Sequence, residues 1–295
     1  MTYNMGNEPA DDTGAMKLGT VVRQPALGQT QGQRWHRMSA LIWRHWYLLR
    51  GSLPRIFELV YWPLVQLLTW VLLSQFLMGN SSWVAQAAGV LIGAVLLWEV
   101  VLRAQLGLTL TFLEELWSRN LGHLFVSPLH PLEWVGSLMI VSIIRSAIGL
   151  IPAFILAALL ANFSVFDLGL PLVLFFASLM MMGWWLAMII MAILLRHGLG
   201  AESIAWMSLW VLVPFSCVYY PLESMPVWLQ PISVVIPATH VFEGMRDILF
   251  DRAFNWWQLG LSLGLNVLYM ALATGLLLAA FRKARQDGKL LQMGE

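Results

Sequence analysis

Residues 114–134 read EELWSRNLGHLFVSPLHPLEW, and the side of a membrane on which they lie decides how the whole chain is organised. The stretch sits between two long apolar runs and is too polar for hydrocarbon. Glu114, Glu115, Arg119 and Asn120 interleave with Leu116, Trp117, Leu121, Leu124 and Phe125. That spacing predicts a short helix with an apolar ridge. Pro128 and Pro131 end it, because proline lacks a backbone donor and disfavours helix in the residue before it. A short exposed helix of this kind either lies on lipid or docks on a protein.

The flanking sequence supplies the membrane. Of 295 residues, 59% are hydrophobic and 11% charged, against about 25% charged in globular chains. Six runs reach the ~20 apolar residues that a spanning helix needs: 56–78, 83–108, 134–161, 171–195, 201–220 and 257–281. None alternates as a membrane barrel strand does. Lys17, Arg23, Arg34, Arg37, Arg44, Arg50 and Arg55 precede the first run, and Arg282, Lys283, Arg285 and Lys289 follow the last. The opposite loops carry only Arg246 and Arg252. The basic side is cytoplasmic, so both termini and residues 114–134 are expected there. Trp83, Trp134 and the Trp256–Trp257 pair fall at expected interfaces.

The expected organisation is a disordered cytoplasmic tail over 1–32, an amphipathic interface helix over 33–55, a six-span domain over 56–281 and a cytoplasmic tail over 282–295. The opening residues lack the apolar core of a signal peptide. In the interface helix, Trp35, Met38, Ile42, Trp46 and Leu49 share a face, and Arg37 and Arg44 are expected to point away from it. The outer segment 221–256 is too apolar for open water, yet its halves 227–236 and 241–249 are too short to cross. They read as two re-entrant helices broken at Pro237, placed where protein buries them. Glu243, Arg246 and Asp247 are expected to form a local network there.

Ionisable groups inside spans are costly and mark pairing or function. Glu99 and Arg103 lie four apart and share a helix face. Arg145 lies at a depth similar to Glu99, so an interhelical Glu99–Arg145 pair is expected as well. His36, His45, His123, His130, His197 and His240 are scattered, with no H-E-x-x-H pattern, so no metal site is expected. The single cysteine, Cys217, excludes an internal disulfide framework. No nucleophile–base set for catalysis appears. The chain also lacks G-x-x-x-x-G-K-[ST], so any ATP is handled by another chain.

Glu114-Glu115, Asn120-Leu121-Gly122-His123-Leu124, Ser127-Pro128 and Glu133 resemble the cytoplasmic loop of type-2 ABC exporter permeases. Pro221, MPVWLQPIS at 225–233, Pro237-Ala238-Thr239 and EGMRDIL at 243–249 resemble the segment before that family's final span. The resemblance covers about residues 33–285. It implies an all-α integral membrane fold: six transmembrane helices, an N-terminal interface helix, a cytoplasmic coupling helix and a re-entrant outer helical pair. It also implies that Glu114, Glu115, Leu116, Arg119, Leu121, Leu124 and Phe125 dock on an ATPase subunit. Two such ATPases would carry ATP and Mg, with no cofactor on this chain, and a second permease copy would complete a homodimer. Family dimers meet along the first and fifth spans, which makes Tyr61, Trp62, Trp70, Trp206, Trp210 and Tyr219 candidate pathway residues. Their aromatic walls suit an amphipathic lipid, a drug-like molecule or a glycan. The implied place is a bacterial-type inner membrane, with lipid but no nucleic acid as partner. The alternatives are a secondary transporter, which would need an internal repeat and midplane charges, and a structural membrane subunit without ATPase coupling.

Overall fold

The computed structural model describes residues 31–78, 82–126, 129–161, 169–251 and 254–287. All but two residues of the expected N-terminal tail lie outside them; Gln31 and Gly32 already belong to the first helix. Ten α-helices follow in order: α1 Gln31–Arg50, α2 Leu53–Met78, α3 Ser82–Trp117, α4 Leu121–Val126, α5 Pro131–Ala161, α6 Leu170–His197, α7 Ser203–Leu212, α8 Gln230–Val234, α9 Pro237–Arg246 and α10 Trp256–Gln286. Among the described residues there is no strand.

α3 and α6 form the centre. In their most apolar windows 72% of residues are buried, against 17% in α2 and α10. The two helices approach closely because Gly183 has no side chain. A methyl there would stand 2.4 Å from the Ala104 Cβ and 2.8 Å from both Gln105 N and Val101 O. In lipid the hydrophobic effect does not drive helices together, so small residues that admit close van der Waals packing do. α2 and α5 pack on one side of α3. α10 packs on α6 and runs in the same direction, as the pairs Ser178–Ser262, Trp185–Asn266 and Met188–Thr274 show. Phe112, Trp134 and Phe281 bring α3, α5 and α10 together at the end of the bundle where α1 lies, with ring centroids 5.6 and 6.0 Å apart.

Among the described residues five helices are long and apolar enough to cross a membrane: Leu53–Phe76, Val90–Trp117, Pro131–Leu160, Leu170–Ala201 and Trp256–Gln286. The sixth expected span, 201–220, is different. Its helix α7 has 10 residues, about 15 Å of rise, half of a hydrocarbon core. A 3-10 turn, Val213–Phe215, follows it. Pro214 stops α7, since its ring removes one helical donor. Gly198, at φ 71, and Cys217, at φ 51, turn the backbone on either side. The segment still runs alongside the bundle: Trp117 Nε1 donates to Glu202 at 3.3 Å, and Tyr219 stacks on Trp70 at 4.8 Å.

α9 fills the space that the short α7 leaves. Pro237 opens this helix, at a position where its missing N–H costs nothing, rather than only breaking a pair. All its residues except Glu243 are buried. Phe242 meets Trp98 of α3, Gly244 meets Phe175 of α6, and the Pro237 carbonyl accepts from Ser262 of α10 at 2.9 Å. The expected helix over 241–249 ends at Arg246 and continues as a π turn, Asp247–Asp251. The other expected half shrinks to the five residues of α8.

Candidate functional site

The stretch at 114–134 is built otherwise than as one ridged helix. α3 does not stop near Leu108 but continues to Trp117, so Glu114 and Glu115 ride on its last turn. Arg119, in the left-handed region at φ 53, closes that turn, the place a glycine commonly takes. Its N–H bonds to the Leu116 carbonyl at 3.0 Å, and Asn120 N–H bonds to the Glu115 carbonyl at 3.0 Å. The six residues of α4 follow. Leu116 and Leu121, expected on a docking ridge, are each 1% exposed and belong to the chain's own core. Leu124 is half-buried against the same core. The side chain of Phe125 lies outside the described residues. Trp117, Ser118 and Arg119 are exposed.

The acids of the stretch face inward to arginines. Arg44 of α1 reaches Glu115 at 2.7 Å, and Asn120 Nδ2 donates to the same carboxylate at 2.7 Å. Arg37 of α1 grips Glu133 through Nε at 2.9 Å and a terminal nitrogen at 2.7 Å, while Arg34 stands 3.8 Å away. Glu114 lies 3.8 Å from both Arg55 and Arg145. Arg37 and Arg44 therefore do not point away from the protein. They fasten α1 to α3 and α5 along the face that also carries Met38, Ile42, His45 and Leu49. The exposed stripe of α1 is instead Trp43, Tyr47 and Leu48, with Trp35 also exposed. His45 is 6% exposed, and its Nε2 has no partner among the described residues. Burial, with Arg44 next, lowers its pKa to about 4.

Glu99 and Arg103 come together at 3.4 Å, but Glu99 and Arg145 do not. Helical side chains lean toward their own N-terminus. α3 and α5 are antiparallel, so Glu99 leans toward the α9 end and Arg145 toward the α1 end. Arg145 there donates to Thr111 Oγ1 at 2.8 Å. Equal depth of Cα atoms is thus the wrong measure of contact.

At the α9 end Glu243 accepts from Arg246 at 2.9 Å and from Leu222 N–H at 2.8 Å. Arg246 also donates to the carbonyls of Cys217 and Val218, tying α9 to the turn after α7. Asp247 does not join this network. It accepts from Asn255 at 3.1 Å, whose side-chain oxygen caps α10 by accepting from Trp257 and Gln258 N–H. The sequence reading missed a neutral cluster in which Asn266 Nδ2 donates to the Ser178 carbonyl and hydroxyl and Asn266 Oδ1 accepts from Trp185. An amide in mid-span was its signal.

Of the aromatic candidates, Trp70 and Tyr219 stack on each other and close a contact between α2 and the turn after α7. Tyr61 and Trp62 on α2, and Trp206 and Trp210 on α7, are exposed. Among the described residues no three His, Cys, Asp or Glu side chains gather as a metal set.

Five spanning-length apolar helices among the described residues, around a close-packed centre, define a multi-pass membrane protein. The chain belongs to the ABC-2 type transporter family, whose profile matches residues 36–250. It is accordingly a transport permease subunit without a nucleotide-binding motif, of a family that generally works with an ABC ATPase. Comparison with curated proteins gives no match.

Proposed function

We propose that this permease is the membrane half of an ATP-driven exporter in a bacterial-type inner membrane. It moves an amphipathic lipid, drug-like molecule or glycan out of the cytoplasm. Two ATPase subunits, which carry ATP and Mg, dock at the α1 end, and a second copy of the chain completes the transporter. The observation that carries this reading is the bracing of residues 114–126. Two arginine-held carboxylates, Glu114 and Glu115, make the loop part of the bundle, so a push on it moves α1, α3 and α5 rather than a flexible link. Basic residues crowd the α1 end, which supports a cytoplasmic position. A short fifth crossing made of α7 and the turns to residue 220 keeps both termini on that side. The exposed aromatics of α2 and α7 are the faces offered to the second copy.

Docking falls to the side chains that the fold leaves outside, Trp117, Ser118 and Arg119, with Leu124 at the edge. In a complex of the permease with its ATPase, Ser118→Asp with Arg119→Asp is expected to lower substrate-stimulated ATP hydrolysis by about tenfold or more, since like charge at an interface costs several kcal/mol. Aspartate tolerates the left-handed backbone at 119, so membrane insertion and yield are expected to stay unchanged. Full coupled hydrolysis in the double variant overturns the docking assignment.

A further inference from the structure

α6 and α10 touch closely along most of their length and then part. Between their last turns lies an open cleft of about 550 Å³, within the size range of small-ligand sites. Its floor is made of the small side chains Ala192, Ala280 and Ala284, with Leu276 on the wall. Arg196, His197 and Lys283 stand at the rim, with Asp287 the single acid. The arginines Arg34, Arg37, Arg44, Arg55 and Arg145 at this end each have a carboxylate within 4 Å. Arg196 and Lys283 form no such pair among the described residues. Arg282 and Arg285 are exposed on the same turns of α10.

Basic residues in a last turn offset the negative end of a helix dipole, and His197 Nδ1 meets the Ile193 carbonyl at 3.1 Å in that way. Dipole compensation accounts for positive charge. It does not account for a hollow of this size with an apolar floor beneath that charge. Below the rim, α10 exposes Leu276, Leu272 and Leu268 toward the surroundings, a continuous apolar track leading away from the cleft.

The geometry points to a binding site for one anionic phospholipid, with its phosphate between Arg196 and Lys283 and an acyl chain running over the alanine floor and along α10. Basic pockets between helices on the cytoplasmic side suit such head groups. The assignment rests on the membrane placement proposed above and not on ATPase docking. A soluble anion would use the rim alone and leave the apolar floor empty. A lipid uses both.

Native mass spectrometry of the full chain released from detergent micelles, with phosphatidylglycerol or phosphatidylcholine added at equal concentration, tests the site. The unaltered chain is expected to retain one phosphatidylglycerol in preference to phosphatidylcholine. Arg196→Gln with Lys283→Gln is expected to lower that retention roughly tenfold. Ala280→Phe, which fills the floor and keeps every charge, is expected to lower it as well. A control, Arg34→Gln with Arg50→Gln, removes equal charge from α1 and is expected to leave it unchanged. Equal loss in the control, or no loss in the rim variant, overturns the site. Competition by glycerol phosphate as strong as by the lipid overturns the lipid in favour of a free anion. If only a chain lacking residues 288–295 retains the lipid, the cleft belongs to the chain's own C-terminal tail and the proposal falls. Membrane placement is read separately: with Cys217→Ser in place, Arg285→Cys is expected to react with an impermeant thiol reagent only after cells are opened. Labelling from outside intact cells overturns that placement. Loss of ATPase docking leaves lipid retention as it was.

Discussion

At the α1 end, five arginines and three glutamates from α1, α2, α3 and α5 meet in ion pairs. At the α9 end the irregular chain is held mainly by neutral groups: Ser262 on the Pro237 carbonyl, Tyr269 on the Val235 carbonyl, and His240 between Gln258 and the Val234 carbonyl. Arg246 is the exception, and two of its three hydrogen bonds go to backbone carbonyls. Charged side chains are tolerable where long stems carry the head group out to the interface. Segments that turn back among apolar helices must have every backbone group satisfied within the protein, and small neutral hydrogen-bonding groups do that without an isolated charge. The α1 end is therefore fastened mainly by charged pairs, and the α9 end mainly by neutral contacts.

The largest expected effect tests the exception. Arg246→Met removes a side chain that is 9% exposed, leaves Glu243 with only the Leu222 N–H, and takes this donor from two carbonyls. Breaking a buried pair from one side costs about 3–5 kcal/mol, so a marked fall in monodisperse yield and in Tm in detergent is expected. Adding Glu243→Gln is expected to restore part of it. An Arg246→Met chain as stable as the parent would show that α9 holds itself by packing alone.

Next comes pH. The His45 imidazole titrates near 6.5 when unfolded and at about 4 when folded, so between those values the unfolded chain binds the extra proton. Stability is expected to fall as pH drops from 6.5 toward 4, by at most about 3 kcal/mol, and to change no further from this group below that. His45→Leu is expected to flatten the Tm profile in that window. An unchanged slope in His45→Leu would place the sensitivity of the α1 end elsewhere.

The smallest effects distinguish pairs that touch from pairs at equal depth. In double-mutant cycles to Ala, Arg44 with Glu115 is expected to couple by about 1–2 kcal/mol, since the glutamate is buried and the arginine half-exposed. Glu99 with Arg145 is expected to be additive to within about 0.5 kcal/mol. Coupling of the second pair as strong as the first would overturn the side-chain directions described here.

Hydropathy made the long helices legible, because twenty apolar residues in a row have few alternatives. The short α7 was written in Gly198, Gly200 and Pro214, but the mostly apolar run from 204 to 220 outweighed those three residues. The partners of Glu115 and Glu133 were not legible. They depend on how α1 lies against α5, and helical periodicity fixes which residues share a face but not which face is turned inward. Leu116 and Leu121 were misplaced for the same reason: an apolar ridge next to a polar strip fits a partner or the chain's own core equally well. Asn266 was legible as an oddity in its span and was passed over.

Arg37 and Glu133 are 96 residues apart in sequence, and Arg44 and Glu115 are 71 apart. Chains are synthesised at about 5–20 residues per second. For roughly 5–20 s after Arg37 has been added, its acid has not been made, and for only a few seconds less the same holds for Arg44. During that interval α1 has no seat, and its arginines have only water and lipid head groups to meet. α1 is thus fixed in place only after α3 and the start of α5 have been made. Its locking waits on the third long helix and completes the α1 end of the bundle.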